Sequence, residues 1–203
     1  MDASAHQNVL LFLPNGFEDL EVAALIDTCG WTSYRPHLPQ VTVTTAGRQP
    51  QIRGRFGTVF TPQLQLPEVR PEDYAAIIIP GGFDSHGYRE DAFDPLLRDH
   101  LQTIHAAGGW ILTMCVGILP VAEAGLLNGK RATTYRFSCS QDRFARLHAL
   151  GAIATEVAVE CDDRIISCSG PAYAVEASQL LLRNLIGGEA AAEIASFMCG
   201  HKR

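Results

Sequence analysis

Three short stretches of this chain carry residue types that can do chemistry: "PNGFEDLE" (14–21), "IIPGGFDSHG" (78–87) and "GGWILTMCVG" (108–117). The third runs an apolar strand pattern, Trp110 to Met114, straight into Cys115, where a helical pattern begins that ends at Gly125. A cysteine in the first turn of a helix meets unpaired N–H groups and a partial positive charge. Both favour thiolate, so the position predicts a thiol pKa below about 7.5. A sharp strand-to-helix turn also exposes the side chain, as the comparable turn exposes serine in α/β-hydrolases. The alternative is a buried structural cysteine, the commonest fate of a free thiol.

Glu18, Asp19 and Glu21 fall in the first turns of a helix, where carboxylates offset the dipole. That accounts for Glu18 and Asp19. Glu21 lies three residues beyond Glu18 and shares its face, so it can point into a cleft. A protonated Glu21 donating a hydrogen bond to sulfur would favour the thiolate, and an ionised one would oppose it. Gly81-Gly82, after the strand "AAIIIP", lets the backbone approach a ligand closely, although a tight turn alone explains such a pair. Beside a nucleophile, the N–H groups of Gly82 and Val116 would form an oxyanion hole.

The elements that must position these residues read as βα units around a parallel sheet. Strand patterns cover 9–13, 41–46, 75–80 and 110–114. Helical patterns cover about 19–29, 93–107, 117–124, 139–149, 172–186 and 189–198. In an open α/β sheet, ligands gather at the carboxyl ends of the strands, where all three stretches fall. "TEVAVEC" and "RIISCS", separated by Asp162-Asp163, read as a hairpin near the sheet edge. "IRGRFGTVFTP" (52–62) reads as an extended excursion with apolar Ile52, Phe56, Val59 and Phe60.

The 203 residues suit one domain, with 1–7 expected as a disordered tail. A hydrophobic fraction of 47% is too high for disorder, and a net charge of −6 gives no reason to expect nucleic acid or an anionic membrane as partner. The run Val9 to Leu13 is too short to span a bilayer and lacks the flanks of a signal peptide. The six cysteines (29, 115, 139, 161, 168 and 199) form no CxxC pair and no zinc-finger spacing. Reduced thiols in the cytoplasm, no structural zinc and no cofactor are therefore expected. Cys29, Cys161, Cys168 and Cys199 read as structural, and Cys139 carries no assigned role.

The ordered motifs "GFEDLE", "IIPGG", "TMCVG" with "AEAGLLNGKRATTY", and "DDRIISCSGPAYAVEASQLLLRNLIGGEAAAEIA" resemble the ThiJ/PfpI superfamily from about Val9 to Ser196, and within it the branch of Parkinsonism-associated deglycases. The resemblance implies a flavodoxin-like three-layer sandwich related to class I glutamine amidotransferases, usually a homodimer. By position, Cys115 matches the family nucleophile and Glu21 its protonated partner. Gly82 and Val116 match the backbone donors. Two departures bear on mechanism. Val116 stands where the protease-like branch has His, and Tyr135 stands where the deglycase branch often has His. His86 is a conceivable replacement, with an exposed loop histidine as the alternative. Tyr135 can hydrogen-bond a substrate oxygen, but a phenol is a poor base at neutral pH. Arg55 resembles a basic position that some relatives contribute across the dimer.

The leading expectation is a cofactor-independent cysteine enzyme acting on small reactive carbonyls, of glyoxalase or deglycase type, through a hemithioacetal at Cys115. The rivals are a stress-protective redox sensor through Cys115 oxidation, an intracellular peptidase or amidase, and an isonitrile-hydratase-like enzyme.

Overall fold

The computed structural model describes residues 6–137 and 142–200. In chain order the elements are β1 (His6–Leu13), α1 (Asp19–Gly30), β2 (Gln40–Gly47), β3 (Ile52–Arg53), β4 (Val59–Phe60), β5 (Leu64–Gln65) and β6 (Ala76–Ile79). There follow α2 (Tyr88–Ala92), α3 (Pro95–Ala106), β7 (Trp110–Met114), α4 (Ile118–Glu123), β8 (Arg131–Ala132), α5 (Arg143–Ala149) and β9 (Ile153–Ala154). The chain continues through β10 (Val159–Asp162), β11 (Ile165–Cys168), α6 (Ala174–Ile186) and α7 (Gly188–Met198).

Seven strands form one sheet in the order β10-β11-β7-β6-β1-β2-β5, parallel except for the edge strand β10. Alternation of side chains along each strand divides the interior into two cores. From β1, Val9, Leu11 and Leu13 face one side while Leu10 and Phe12 face the other. From β6, Ile78 joins the first core and Ile77 and Ile79 the second. The first core is closed by Val22 and Leu25 of α1, Leu181 of α6 and Ile194 of α7. The second is closed by Leu97 and Leu101 of α3 and Val121 of α4. A strand buried on both faces must be apolar at every position, which is why "VLLFL" and "AIII" are unbroken runs. The result is the α/β three-layer arrangement expected from the sequence.

Several boundaries differ from the sequence reading. β1 starts at His6, so the expected tail over 1–7 is corrected at His6 and Gln7, which pair with Gln40 and Val41. Residues 1–5 lie outside the described residues, as does the start of the helix expected over 139–149, whose described part is Arg143–Ala149. The helix expected over 93–107 is α3, which starts at Pro95 because Asp94 caps it by accepting from the Leu96 N–H and Pro95 sits at its first position; the short α2 before it was not expected. The edge hairpin turns one residue later than expected, at Asp163 and Arg164. Both adopt left-handed backbone, with φ of 44° and 61°.

The excursion folds into the β3–β4 hairpin. Ile52 is fully buried in the first core, and Phe60 packs edge-on against Phe17 at 5.7 Å. Only Phe56 and Val59 of the expected apolar cluster are exposed. Among the described residues no helix is long and apolar enough to cross a membrane.

Candidate active site

β1 pairs with β2 on one side and β6 on the other, so the chain reverses its winding direction between β1 and β6. Loops diverge at such a point and leave a crevice. α1 delivers Glu21 from the end of β1, Gly81 and Gly82 follow β6, and Cys115 follows β7. An antiparallel bridge pairs Phe17 with Gly82 and ties the first two loops together. It is held by Glu18 N–H donating to Gly81 O (2.9 Å) and Phe83 N–H donating to Gly16 O (2.9 Å). The N–H of Gly82 stays outside this ladder and has no partner among the described residues.

Cys115 stands at φ 53°, in the left-handed region that residues with a side chain rarely occupy. Such a turn costs on the order of 1–2 kcal/mol and persists only where its surroundings fix it. Here the Thr134 hydroxyl donates to Cys115 O at 3.0 Å. Next to it, glycine is required by space. A Cβ on Gly81 would lie 2.5 Å from Cys115 Cβ and 3.0 Å from Glu21 Oε2. A Cβ on Gly82 would lie 2.1 Å from the Tyr88 ring. Tyr88 is itself anchored by its hydroxyl donating to Pro80 O at 2.7 Å.

Glu21 is buried with its carboxyl beside Cys115. Its Oε2 accepts from Gly81 N–H at 2.6 Å, while Oε1 has no hydrogen-bond partner. Burial raises the Glu21 carboxyl to about 8 against the Gly81 hydrogen bond, and the nearby Glu18 adds to the rise. Burial thus favours the protonated carboxyl, but the hydrogen bond from Glu21 to the Cys115 sulfur expected from the sequence is not made: Oε1, the oxygen left to carry the proton, has no partner.

The expected low thiol pKa is corrected. Burial pushes the Cys115 thiol well above its ordinary value, and a negative Glu21 would push it further; the Val116 N–H and Arg143 act in the opposite direction without prevailing. The dipole behind this cysteine is short, since a single 3-10 turn, Cys115–Gly117, leads into an α4 of only 6 residues. Cys115 itself is half-buried and opens onto the cleft.

The cleft has a volume of about 520 Å³, and Gly82, Cys115, Val116 and Tyr135 all line it. His86 does not: it is exposed, and its Nδ1 meets the Ser85 hydroxyl at 2.8 Å. Arg55 is held at the rim over the rings of Phe56 (5.5 Å) and Phe83 (5.4 Å). Cys139 lies outside the described residues. Cys168 is fully buried, in register with Met114, and burial raises its thiol to about 12, with the negative Glu21 adding to the rise. Among the described residues, no group of three or more His, Cys, Asp or Glu side chains could hold a metal ion.

The sequence reading missed Arg143 and Arg146, which enter the cleft from α5, and the walls Phe93 and Phe137. It also gave Glu18 only a dipole role. Glu18 caps α1 by accepting from the Glu21 N–H at 3.0 Å, and it lines the cleft. The one available signal was a pair of arginines, Arg143 and Arg146, spaced one helical turn apart after "SCSQD".

A model of the DJ-1/PfpI family matches residues 7–184. The chain is 27% identical over 197 residues to Protein DJ-1 homolog A of Arabidopsis thaliana, covering 97% of this chain but 47% of the plant protein. The chain thus spans about half the length of that relative. It is 26% identical to a Caenorhabditis elegans protein named glutathione-independent glyoxalase DJR-1.2, covering 97% of this chain and 98% of that one. The crystal structure of Drosophila melanogaster DJ-1beta superposes with a TM-score of 0.80 at 21% identity, over 96% of this chain and 98% of that one.

Proposed function

Because this chain belongs to the DJ-1/PfpI family, we propose that it is a cofactor-independent, cysteine-dependent enzyme of glyoxalase or deglycase type acting on reactive carbonyls. The observation that carries the reading is the protonated, half-unpartnered Glu21 packed beside a left-handed Cys115 that lines the cleft, Glu21 itself being buried next to the thiol and not on the cleft surface. The likeness to the nematode glyoxalase supports it.

In this reading the Cys115 sulfur adds to the aldehyde carbon of an α-oxoaldehyde. The S–C bond forms, and the thiol proton passes to the former carbonyl oxygen, giving a hemithioacetal. Its developing oxyanion is met by the N–H groups of Gly82 and Val116. Glu21 gives its proton to the neighbouring ketone oxygen, and the resulting carboxylate takes the hydrogen of the hemithioacetal carbon, giving an enediol. Glu21 then passes that proton to the neighbouring carbon and takes up the hydroxyl proton of the sulfur-bearing carbon, ending protonated as it began. The product of that shift is a thioester, and water cleaves it to a 2-hydroxy acid and the free thiol. A neutral resting thiol suits this sequence, because its proton is needed on the substrate oxygen.

A purified-protein assay with methylglyoxal tests the reading. Turnover to lactate that is lost in Cys115→Ser and in Glu21→Gln supports it, and equal activity in Cys115→Ser overturns it. A second reading is oxidation of Cys115 to a sulfinate without turnover: the Val116 N–H at the sulfur favours it, and the raised thiol, which leaves little thiolate for peroxide, opposes it. Stoichiometric peroxide consumption without any aldehyde turnover would select it. Peptidase chemistry has less support, because amide cleavage needs an acid for the leaving amine and Val116 and Tyr135 occupy the family's histidine positions.

A homodimer is part of the proposal. Phe56, 70% exposed, and Val59, 44% exposed, stand on the β3–β4 hairpin beside Arg55, the position by which some relatives reach a partner's site. Light scattering at micromolar concentration decides it: twice 22.0 kDa supports the dimer, and a single 22.0 kDa rejects it.

A further inference from the structure

We propose that the substrate carries a carboxylate on an aromatic or similarly flat apolar body, and that Arg143 is the specificity-determining residue that seats it. The inference rests on Cys115 being the reacting group.

The cleft is far larger than the smallest carbonyl substrates require. Its volume is about 520 Å³, in the range of sites for drug-sized ligands. Methylglyoxal, with five heavy atoms, displaces at most about 150 Å³ even at one water of roughly 30 Å³ per heavy atom. The walls are rings: Phe56 and Phe83 meet edge-on at 6.4 Å on one side, and Tyr135 and Phe137 meet at 6.2 Å on the other. Ring walls bind flat apolar bodies by stacking and by contact area.

Into this apolar space comes a guanidinium with spare donors. Arg143 lies over the Tyr135 ring at 5.6 Å, and its Nη1 donates to Phe137 O at 3.1 Å. Nε and Nη2 have no acceptor, and no carboxylate pairs with Arg143 among the described residues. Of the other two arginines on the cleft wall, Arg146, one turn further along α5, is neutralised by Glu123 of α4, and Arg89 lies over the Phe93 ring at 4.9 Å. Arg143 is also near enough to Cys115 for its charge to act on the sulfur. Of the two acids on the cleft wall, Asp84 is exposed at the rim, and burial raises the Glu18 carboxyl toward its neutral form. A planar guanidinium with two free donor edges is the group that recognises a carboxylate by paired hydrogen bonds.

The test compares 4-carboxyphenylglyoxal with its neutral isostere, 4-carbamoylphenylglyoxal. In the wild type the carboxylate should raise kcat/KM about tenfold, the effect of about 1.4 kcal/mol of extra binding. In Arg143→Gln the ratio between the two substrates should fall to about one, and Arg143→Lys should restore part of it. Circular dichroism confirms that the variants fold. A second measurement needs no turnover: calorimetric binding of the corresponding hydroxy acids, 4-carboxymandelate and 4-carbamoylmandelate, to Cys115→Ser. A carboxylate preference there that vanishes in Cys115→Ser/Arg143→Gln supports the anion seat even if no aldehyde is turned over, in which case only the enzymatic reading falls. Equal binding of the two acids, or a wild-type rate ratio that survives in Arg143→Gln, overturns the proposal.

Discussion

At neutral pH the Cys115–Glu21 pair holds both its protons, because burial opposes a charge on either group and a charge on one opposes a charge on the other. The first proton to leave the pair produces a single negative charge that sulfur and carboxylate compete for. Glu21→Gln removes the competing charge while keeping an N–H donor beside the sulfur. Alkylation of Cys115 by iodoacetamide should therefore reach half-maximal rate at lower pH in Glu21→Gln than in the wild type, although turnover is lost. A profile moved to higher pH would mean that Glu21 promotes the thiolate. The left-handed backbone gives a second expectation. With φ at 53°, Cys115→Gly relieves the clash that Cys115→Ala retains. The glycine variant should be the more stable of the two by about 1 kcal/mol in urea denaturation, both being inactive.

The β3–β4 hairpin, tied to the loop after β1 by Gly16 N–H donating to Arg53 O and Arg55 N–H donating to Phe17 O, has its tip held by α1. Asp19, at the start of α1, accepts from Phe56 N–H at 2.9 Å and from Thr58 N–H at 3.1 Å. Burial works against that carboxylate, but hydrogen bonds from Thr58 and Phe56 outweigh it and hold Asp19 below its ordinary value. Asp19→Ala gives two exposed backbone donors over to water, at a local cost of about 1–2 kcal/mol for the lost charge-assisted hydrogen bonds. Amide exchange of residues 56 and 58 should accelerate selectively, with the β1 amides unchanged; uniform acceleration would show that the hairpin does not open by itself. A hairpin with two residues in each strand was not legible in "IRGRFGTVF", because its tip is held by an aspartate 37 and 39 positions before the two amides it binds. The central strands were legible because burial on both faces forces continuous apolar runs. So were Glu21, Gly82 and Cys115, which sit where those strands end. Arg143 and Phe137 were not, since their segment meets the cleft only through tertiary packing of β8 and α5. The raised thiol was missed for the same reason, as desolvation depends on neighbours distant in sequence.

Across the molecule, a buried acid that keeps its proton makes stability depend on pH. Glu21 moves from an ordinary 4.5 to about 8 on folding, so between these values the folded chain binds more protons than the unfolded one. Stability then falls as pH rises. The contribution is fully present below about pH 4.5 and is lost as pH climbs through about 8. Its size is of order 4–5 kcal/mol, at about 1.4 kcal/mol per pKa unit, a large share of the 5–15 kcal/mol typical of whole domains. Glu18, raised by burial, acts in the same direction closer to its ordinary range. The thiols of Cys29 and Cys168, both raised to about 12 by burial, contribute only above their ordinary 9.0 and leave this window alone. The lowered carboxyls of Asp19 and Asp163 act below 3.8. One group therefore dominates between pH 5 and 8, and Glu21→Gln should remove its effect. The wild-type midpoint in urea should fall steadily from pH 5 to 8, whereas that of Glu21→Gln should stay nearly level and exceed the wild type at pH 8. Parallel slopes for the two proteins would show that Glu21 is ionised in the fold, and with it the proton relay assigned to this carboxyl would fail.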